Sequence, residues 1–242
     1  MMLSRIISNQ NGISRQRANA LIAAGKVAVD GRVCREAQQQ VSRFSQVALE
    51  GRILQEAIPA RHLMLNKPAG YLSATEDDIH PTVMELLAPE LRDGLHLAGR
   101  LDRASTGLLI LTNDGRWSRQ LTEPAVKIPK VYLVTTERPL TDETHQRFAE
   151  GIWFEYEQLT TSPATIDELA PCQARVTIYE GRYHQVKRMF HAVGNRVTSL
   201  HRESMGPITL DTALAPGQYR ALTNAEIDSI NQWGQTPCRF GR

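Results

Sequence analysis

Residues 98–118 read AGRLDRASTGLLILTNDGRWS and set one carboxylate, Asp102, between two guanidiniums, Arg100 and Arg103. A carboxylate can act as a nucleophile, a base, or a stabiliser of an oxocarbenium ion, roles it fills in glycosidic chemistry. A nearby cation favours its ionised form. Arg100, Arg103 or the more distant Lys187 could supply one. The same pattern describes a surface ion pair of little energetic effect, and on these residues alone that plainer reading is the stronger.

A second cluster lies in EGRYHQVKRMFHAVGNRV, residues 180–197. At helical spacing Val186, Met189, Phe190 and Val193 line one face, and His184, Lys187, Arg188 and His191 line the other. The second face carries no acid, whereas an ordinary solvated face mixes both signs. Arg182, Arg196 and Arg202 add to it in sequence. Contact with phosphate or carboxylate groups is the favoured reading. His184 and His191 are two turns apart, about 10 Å along a helix axis, whereas helical zinc pairs sit one turn apart. No metal site is expected. The chain has no GxGxxG, GxxxxGK[ST] or GxSxG motif, so nucleotide-dependent and serine-hydrolase chemistry have no support.

The elements that must position these groups follow from periodicity and turn residues. Leu3 to Asn9 is predicted as a short helix. Ser14 is a plausible cap for a helix through Ala24, stopped at Gly25. Lys26 to Val29 alternates as a strand, and Asp30-Gly31 signals a two-residue hairpin. Val47 to Leu54 reads as a strand pair about Gly51, and Pro59 marks a linker. Beyond it, strands are predicted at 62–65, 108–111, 131–135 and 174–179, with helices at 82–87, 115–121, 142–150 and 184–193. Thr223 and Glu226 have capping-box spacing for a last helix bearing Ile227 and Ile230. Residues 233–242 read as a loose tail.

The totals bound the function class. The chain has 242 residues, 41% hydrophobic and 22% charged, which fits a soluble globular protein of one large or two smaller domains. No apolar run approaches the roughly 20 residues of a membrane span. The N-terminus lacks the apolar core of a signal peptide. Three widely spaced cysteines suggest neither a disulfide framework nor a metal knuckle, so a cytoplasmic location is expected. Residues 1–50 carry seven Lys/Arg against three acids, a balance of +4, while the whole chain is only +2. A basic module on a near-neutral body suits an appendage for an anionic partner, although chance would also produce it.

GRLDRASTGLLILTNDG resembles the signature of pseudouridine synthases of the RsuA/RluA group, in which the catalytic Asp sits in such an Arg-Leu-Asp element. NKPAGYLSA (66–74), KIPKVYLV (127–134), EGRYHQVKRMFHAVGNRV and LHRESMGPITL (200–210) follow in the family's order. GISRQRANALIAAGKVAVDGRV resembles an S4 RNA-binding domain. DGRWSRQL and YHQVKRMF are most similar to the branch that acts on small-subunit ribosomal RNA. The S4-like start, Leu3-Ser4-Arg5-Ile6, departs from that domain's usual Arg-Leu-Asp-Lys-like run.

The resemblance implies an α+β protein. A small S4-like helical RNA-binding domain over 1–58 would precede a pseudouridine synthase domain over 59–232. The latter would have a mixed, largely antiparallel central sheet. It implies isomerisation of one uridine of 16S ribosomal RNA, uridine 516, without a cofactor, by a monomer acting on that RNA or on a small-subunit assembly intermediate. Asp102 matches the catalytic Asp, Lys187 the basic residue that pairs with it, and Tyr132 the residue that stacks on the target base. Arg100 matches an arginine that helps displace the target nucleotide, which leaves Arg103 as an ion-pair partner of Asp102. RNA contacts are expected from Arg15, Arg17 and Lys26 in the first domain and from Arg182, His184 and Arg188 in the second. The alternatives are the same chemistry on another RNA, and a non-catalytic S4-type RNA-binding assembly factor.

Overall fold

The computed structural model describes residues 1–233. The chain divides into two compact units, Met1–Ala60 and a larger one from Arg61 onward.

The first unit holds helices α1 (Leu3–Ser8) and α2 (Arg15–Ala23) and strands β1 (Val27–Val29), β2 (Arg32–Cys34), β3 (Val47–Leu49) and β4 (Arg52–Gln55). The strands form one antiparallel sheet in the order β2-β1-β3-β4. Ser14 caps α2 by accepting from the Arg17 amide. Asp30 and Gly31 both take positive φ, 49° and 75°, as a tight twisted hairpin turn requires. Leu3, Ile7, Ala18, Ile22, Val27 and Val47 close a small core. The unit contains the strand expected at Lys26 to Val29, the hairpin at Asp30-Gly31 and the strand pair about Gly51, joined in one sheet.

The second unit is built on one twisted sheet. Its strands are β5 (His62–Lys67), β6 (His96–Leu97), β7 (Thr106–Thr112), β8 (Lys130–Thr136), β11 (Thr165–Ala170), β12 (Gln173–Ile178), β13 (Val197–Met205), β14 (Ile208–Thr209) and β15 (Tyr219–Ala221). β9 (Trp153–Phe154) and β10 (Leu159–Thr160) make a separate hairpin. The main path runs β11-β12-β8-β13-β7-β5-β15. Every neighbouring pair on it is antiparallel except β13 with β7. The helices are α3 (Pro89–Arg92), α4 (Gly115–Thr122), α5 (Asp142–Glu150), α6 (Gln185–Ala192) and α7 (Asn224–Trp233).

The apolar run Leu108–Leu111 becomes the fully buried centre of β7. Successive side chains point to opposite faces. Leu108 and Ile110 meet Trp117 and Leu121 of α4 and Ile230 of α7, while Leu109 and Leu111 meet Val83, Met84 and Leu87. A third core joins β8, β12 and β13 to α5 and α6 through Val134, Val176, Phe148 and Phe190. The helix expected at 82–87 is a 3-10 turn over Val83–Leu86, closed by the Thr82–Glu85 capping box. The second capping box, Thr223 with Glu226, opens α7 as expected. The tail expected over 233–242 lies outside the described residues except for Trp233, which ends α7.

Candidate active site

Asp102 sits on the loop between β6 and β7, and a buried lysine holds that loop. Lys67, at the end of β5, is 0% exposed. Its ammonium donates to the backbone carbonyls of Pro68, Asp102, Arg103 and Ser105 at 2.8–3.2 Å. Burial pulls its pKa down to about 8, partly opposed by the Asp102 charge. Ser73 fixes the other side of Asp102: its hydroxyl donates to the Leu101 carbonyl and accepts the Leu101 amide. The sequence KPAG is therefore a cradle for the Asp102 backbone.

Arg103 departs from its expected role. Its guanidinium donates to the Gly70 carbonyl at 3.0 Å, and the Gly70 amide returns a bond to the Arg103 carbonyl at 2.8 Å. It latches the cradle, and the Asp102 ion pairs go elsewhere.

Those pairs come from α6. Lys187 Nζ lies 2.9 Å from Asp102 Oδ2, and His184 Nε2 lies 3.3 Å from Oδ1. His184 stands at the helix cap in a left-handed conformation, φ 50° and ψ 30°. Gln185 steadies this entry by accepting from the Arg182 amide and donating to Glu180. The sequence assigns His184 to RNA contact; in the structure its imidazole meets the candidate catalytic carboxylate and stacks on exposed Tyr183, with ring centroids 3.9 Å apart.

The basic face of α6 is acid-free only in one dimension. Other elements bring acids to it: Asp102 as above, and Glu157 from the turn between β9 and β10. Arg188 Nη1 and Nη2 donate to the two Glu157 carboxylate oxygens at 2.6 Å each, and the guanidinium stacks 3.7 Å from the Phe154 ring centre. Arg182 pairs with Glu180 at 3.1 Å. His191 and Arg196 are exposed. Arg15, Arg17 and Lys26 lie in the other unit, all exposed, with Lys26 paired to Glu50 at 2.8 Å.

Asp102, Arg100, Tyr132 and His184 all line a cleft of about 590 Å³. Lys187 meets Asp102 without lining it. Tyr132 is 7% exposed and belongs to the buried face of β8, which it shares with Lys130 and Val134.

The sequence places Arg202 in a surface cluster, and the structure corrects this. It stands opposite Tyr132 on β13 and is 1% exposed. Its Nε donates to the Leu108 carbonyl at 2.8 Å, and Nη1 donates to the Arg100 carbonyl at 3.3 Å and the Tyr132 hydroxyl at 3.5 Å. Its Nη2 is buried and, among the described residues, has no hydrogen-bond partner. An unpaired buried donor costs about 1–3 kcal/mol.

Sequence reasoning also misses Lys130. It is buried on the cleft wall, its ammonium donating to the Ile128 carbonyl at 3.2 Å. Burial and the Arg202 charge lower its pKa to about 8. A charged residue is seldom fully buried, so neither position stands out as buried in the sequence. The one available signal is their place within the quoted motifs KIPKVYLV and LHRESMGPITL.

A carboxylate held between two bases, beside an aromatic ring over a cationic floor, suits a reaction at a nucleoside. The RNA pseudouridylate synthase model matches residues 61–192, the span holding Asp102, Tyr132 and Lys187. The chain belongs to that family and is a pseudouridine synthase. It is 50% identical to the ribosomal small subunit pseudouridine synthase A of Pseudomonas aeruginosa. That alignment covers 95% of this chain and all of the relative. It is 47% identical to the enzyme of the same name from Escherichia coli K12, with the same coverage. A solved pseudouridylate synthase aligns with a TM-score of 0.70 at 37% identity, covering 95% of this chain and 99% of that one.

Proposed function

We propose that this protein converts one uridine of small-subunit ribosomal RNA, uridine 516 of the 16S molecule, to pseudouridine, with Asp102 as the catalytic carboxylate. The observation that carries the site is the 2.9 Å pair between Asp102 and Lys187 at a cleft lined by Tyr132. The small-subunit target rests on full-length similarity to relatives named for that substrate. A cytoplasmic location accords with such a substrate. Among the described residues no helix is long and apolar enough to cross a membrane.

The chemistry needs the target nucleotide out of its helix, at a cost of a few kcal/mol. Stacking on Tyr132 offsets about 1–3 kcal/mol of that cost. Arg100, exposed at the cleft, assists displacement of the nucleotide. Lys187 and His184 keep the Asp102 carboxylate oriented and Lys187 stabilises its charge. Asp102 attacks C1′ or the pyrimidine C6, or takes a sugar proton. The N1–C1′ bond breaks, the base turns, and C5 bonds to C1′. The net reaction is an isomerisation and needs no redox partner or ATP.

The first unit serves as an S4-type RNA-binding module, with Arg15, Arg17 and Lys26 on phosphates. Arg182 and Arg188 are expected at the same RNA, with their carboxylate partners limiting what each contributes.

Tritium release from small-subunit RNA labelled at uracil C5 tests this reading. Wild-type protein should release tritium and Asp102→Asn should not. Activity retained by Asp102→Asn overturns the site. Release from a different RNA only overturns the target.

A further inference from the structure

Arg202 and Lys130 have features that loop positioning does not require. Both are buried, both line the cleft, and both flank Tyr132: Arg202 across the β8–β13 ladder, Lys130 two residues along the same face of β8. Arg202 anchors the backbone with Nε and Nη1 but leaves Nη2 without a partner. A guanidinium has five N–H donors, two of them on Nη2. Lys130 has three ammonium protons, and one hydrogen bond to the Ile128 carbonyl is seen. Among the described residues no carboxylate lies within ion-pair distance of either. Two cations in a dry wall, with donors to spare, match an acceptor that arrives with negative charge.

The reaction makes such an acceptor. If Asp102 attacks C1′ or removes the C2′ proton, the C1′–N1 bond breaks and its electron pair leaves with uracil. The detached base is then an anion, its charge spread from N1 onto the carbonyl oxygens O2 and O4. It persists until C5 bonds to C1′, after which the C5 proton is lost and N1 is protonated. We propose that Arg202 Nη2 and Lys130 Nζ donate to a carbonyl oxygen of this departing uracil. They stabilise the anion and hold the base on Tyr132 while it turns. Preorganised donors aimed at developing charge are most effective in a water-excluded site. The inference rests on the reading that Asp102 and Tyr132 receive the target uridine.

The test compares leaving groups. Fluorine at C5 makes uracil a more acidic, better leaving group that depends less on outside stabilisation. Single-turnover disappearance of the N1-linked target nucleoside, uridine or 5-fluorouridine, from small-subunit RNA is followed by chromatography and mass spectrometry of digested nucleosides, a readout that does not require the fluorinated base to lose a C5 proton. Wild type, Arg202→Lys and Lys130→Met are compared. A lost hydrogen bond to a charged acceptor corresponds to about 10- to 100-fold in rate. Each variant should show that deficit on uridine and at least a severalfold smaller one on 5-fluorouridine, with RNA affinity near wild type.

Equal deficits on both RNAs mean that the residues only support the fold, and they overturn the proposal. If Arg202→Lys fails to fold, Lys130→Met carries the same comparison. Asp102→Asn, inactive on both RNAs, separates failure of this inference from failure of the site assignment.

Discussion

A β-carbon added to Gly107 would lie 2.4 Å from the carbonyl oxygen and 2.7 Å from the amide nitrogen of Arg202. The two residues are paired in the parallel β7–β13 ladder, and Gly107 takes φ 101°. This close approach brings β13, and with it the Arg202 guanidinium, under the loop that carries Asp102. The glycine of STGLLIL is thus a site residue without a side chain.

Gly107→Ala should therefore disturb both stability and catalysis. The left-handed backbone costs roughly 1–2 kcal/mol for a residue with a β-carbon, and forced overpacking adds about 1–3 kcal/mol. Urea unfolding should report a loss of that summed size. Activity should fall further than stability alone explains, because the clash is with the Arg202 backbone. A variant with a wild-type unfolding midpoint would contradict this close approach of the two strands.

Lys67→Met should leave RNA affinity nearly intact while slowing the chemical step. The ammonium is spent on four carbonyls around the Asp102 loop and is not available to the RNA. A displacement of about 1 Å at a reacting group costs on the order of 100-fold in rate. Filter binding set beside single-turnover tritium release separates the two effects. A parallel loss of affinity and rate would instead assign Lys67 to RNA contact.

Much of this site is readable in the sequence as residue types and little of it as partnerships. Asp102 and Lys187 are both visible as candidates, yet their pairing depends on a β6–β7 loop meeting α6. The acid-free face of α6 is a sound reading of one helix. Glu157 neutralises Arg188 from a hairpin whose two-residue strands leave no periodic trace. β13 is hidden because VTSLHRESM carries His201, Arg202 and Glu203 where a buried strand usually shows aliphatic residues. β7 is easy for the opposite reason. Lys67, Lys130 and Arg202 share one cause of error: long cations are presumed solvated, and only packing shows which are not.

Lys187→Met should cost more than Lys187→Arg. The pair with Asp102 is partly shielded, with side-chain exposures of 31% and 24%. Removing one electrostatic partner at a reacting group costs about 100- to 1000-fold in turnover. Arginine preserves the charge but not the geometry of the ammonium, so partial recovery is expected. Single-turnover rates at saturating protein provide the measurement. Equal rates for Lys187→Met and wild type would remove Lys187 from the mechanism.

The buried lysine at position 130 should also leave a signature in stability against pH. Burial and the nearby Arg202 charge lower its pKa from 10.5 to about 8, with Glu180 opposing. Below pH 8 both folded and unfolded chains hold the proton, and the cost of burying the charge is complete. Between pH 8 and 10.5 the native protein releases the proton while the unfolded chain still binds it. Stability contributed by this group therefore rises with pH across that window. Lys130→Met lacks the group and should lack the rise. The stability difference, wild type minus variant, should thus increase between pH 7.5 and 10.5 by on the order of 3 kcal/mol. Urea unfolding of both proteins at matched pH values measures it, and other titrating groups cancel in the difference. A flat difference would show that Lys130 is hydrated in the native protein, which would also remove it from the dry wall behind Tyr132.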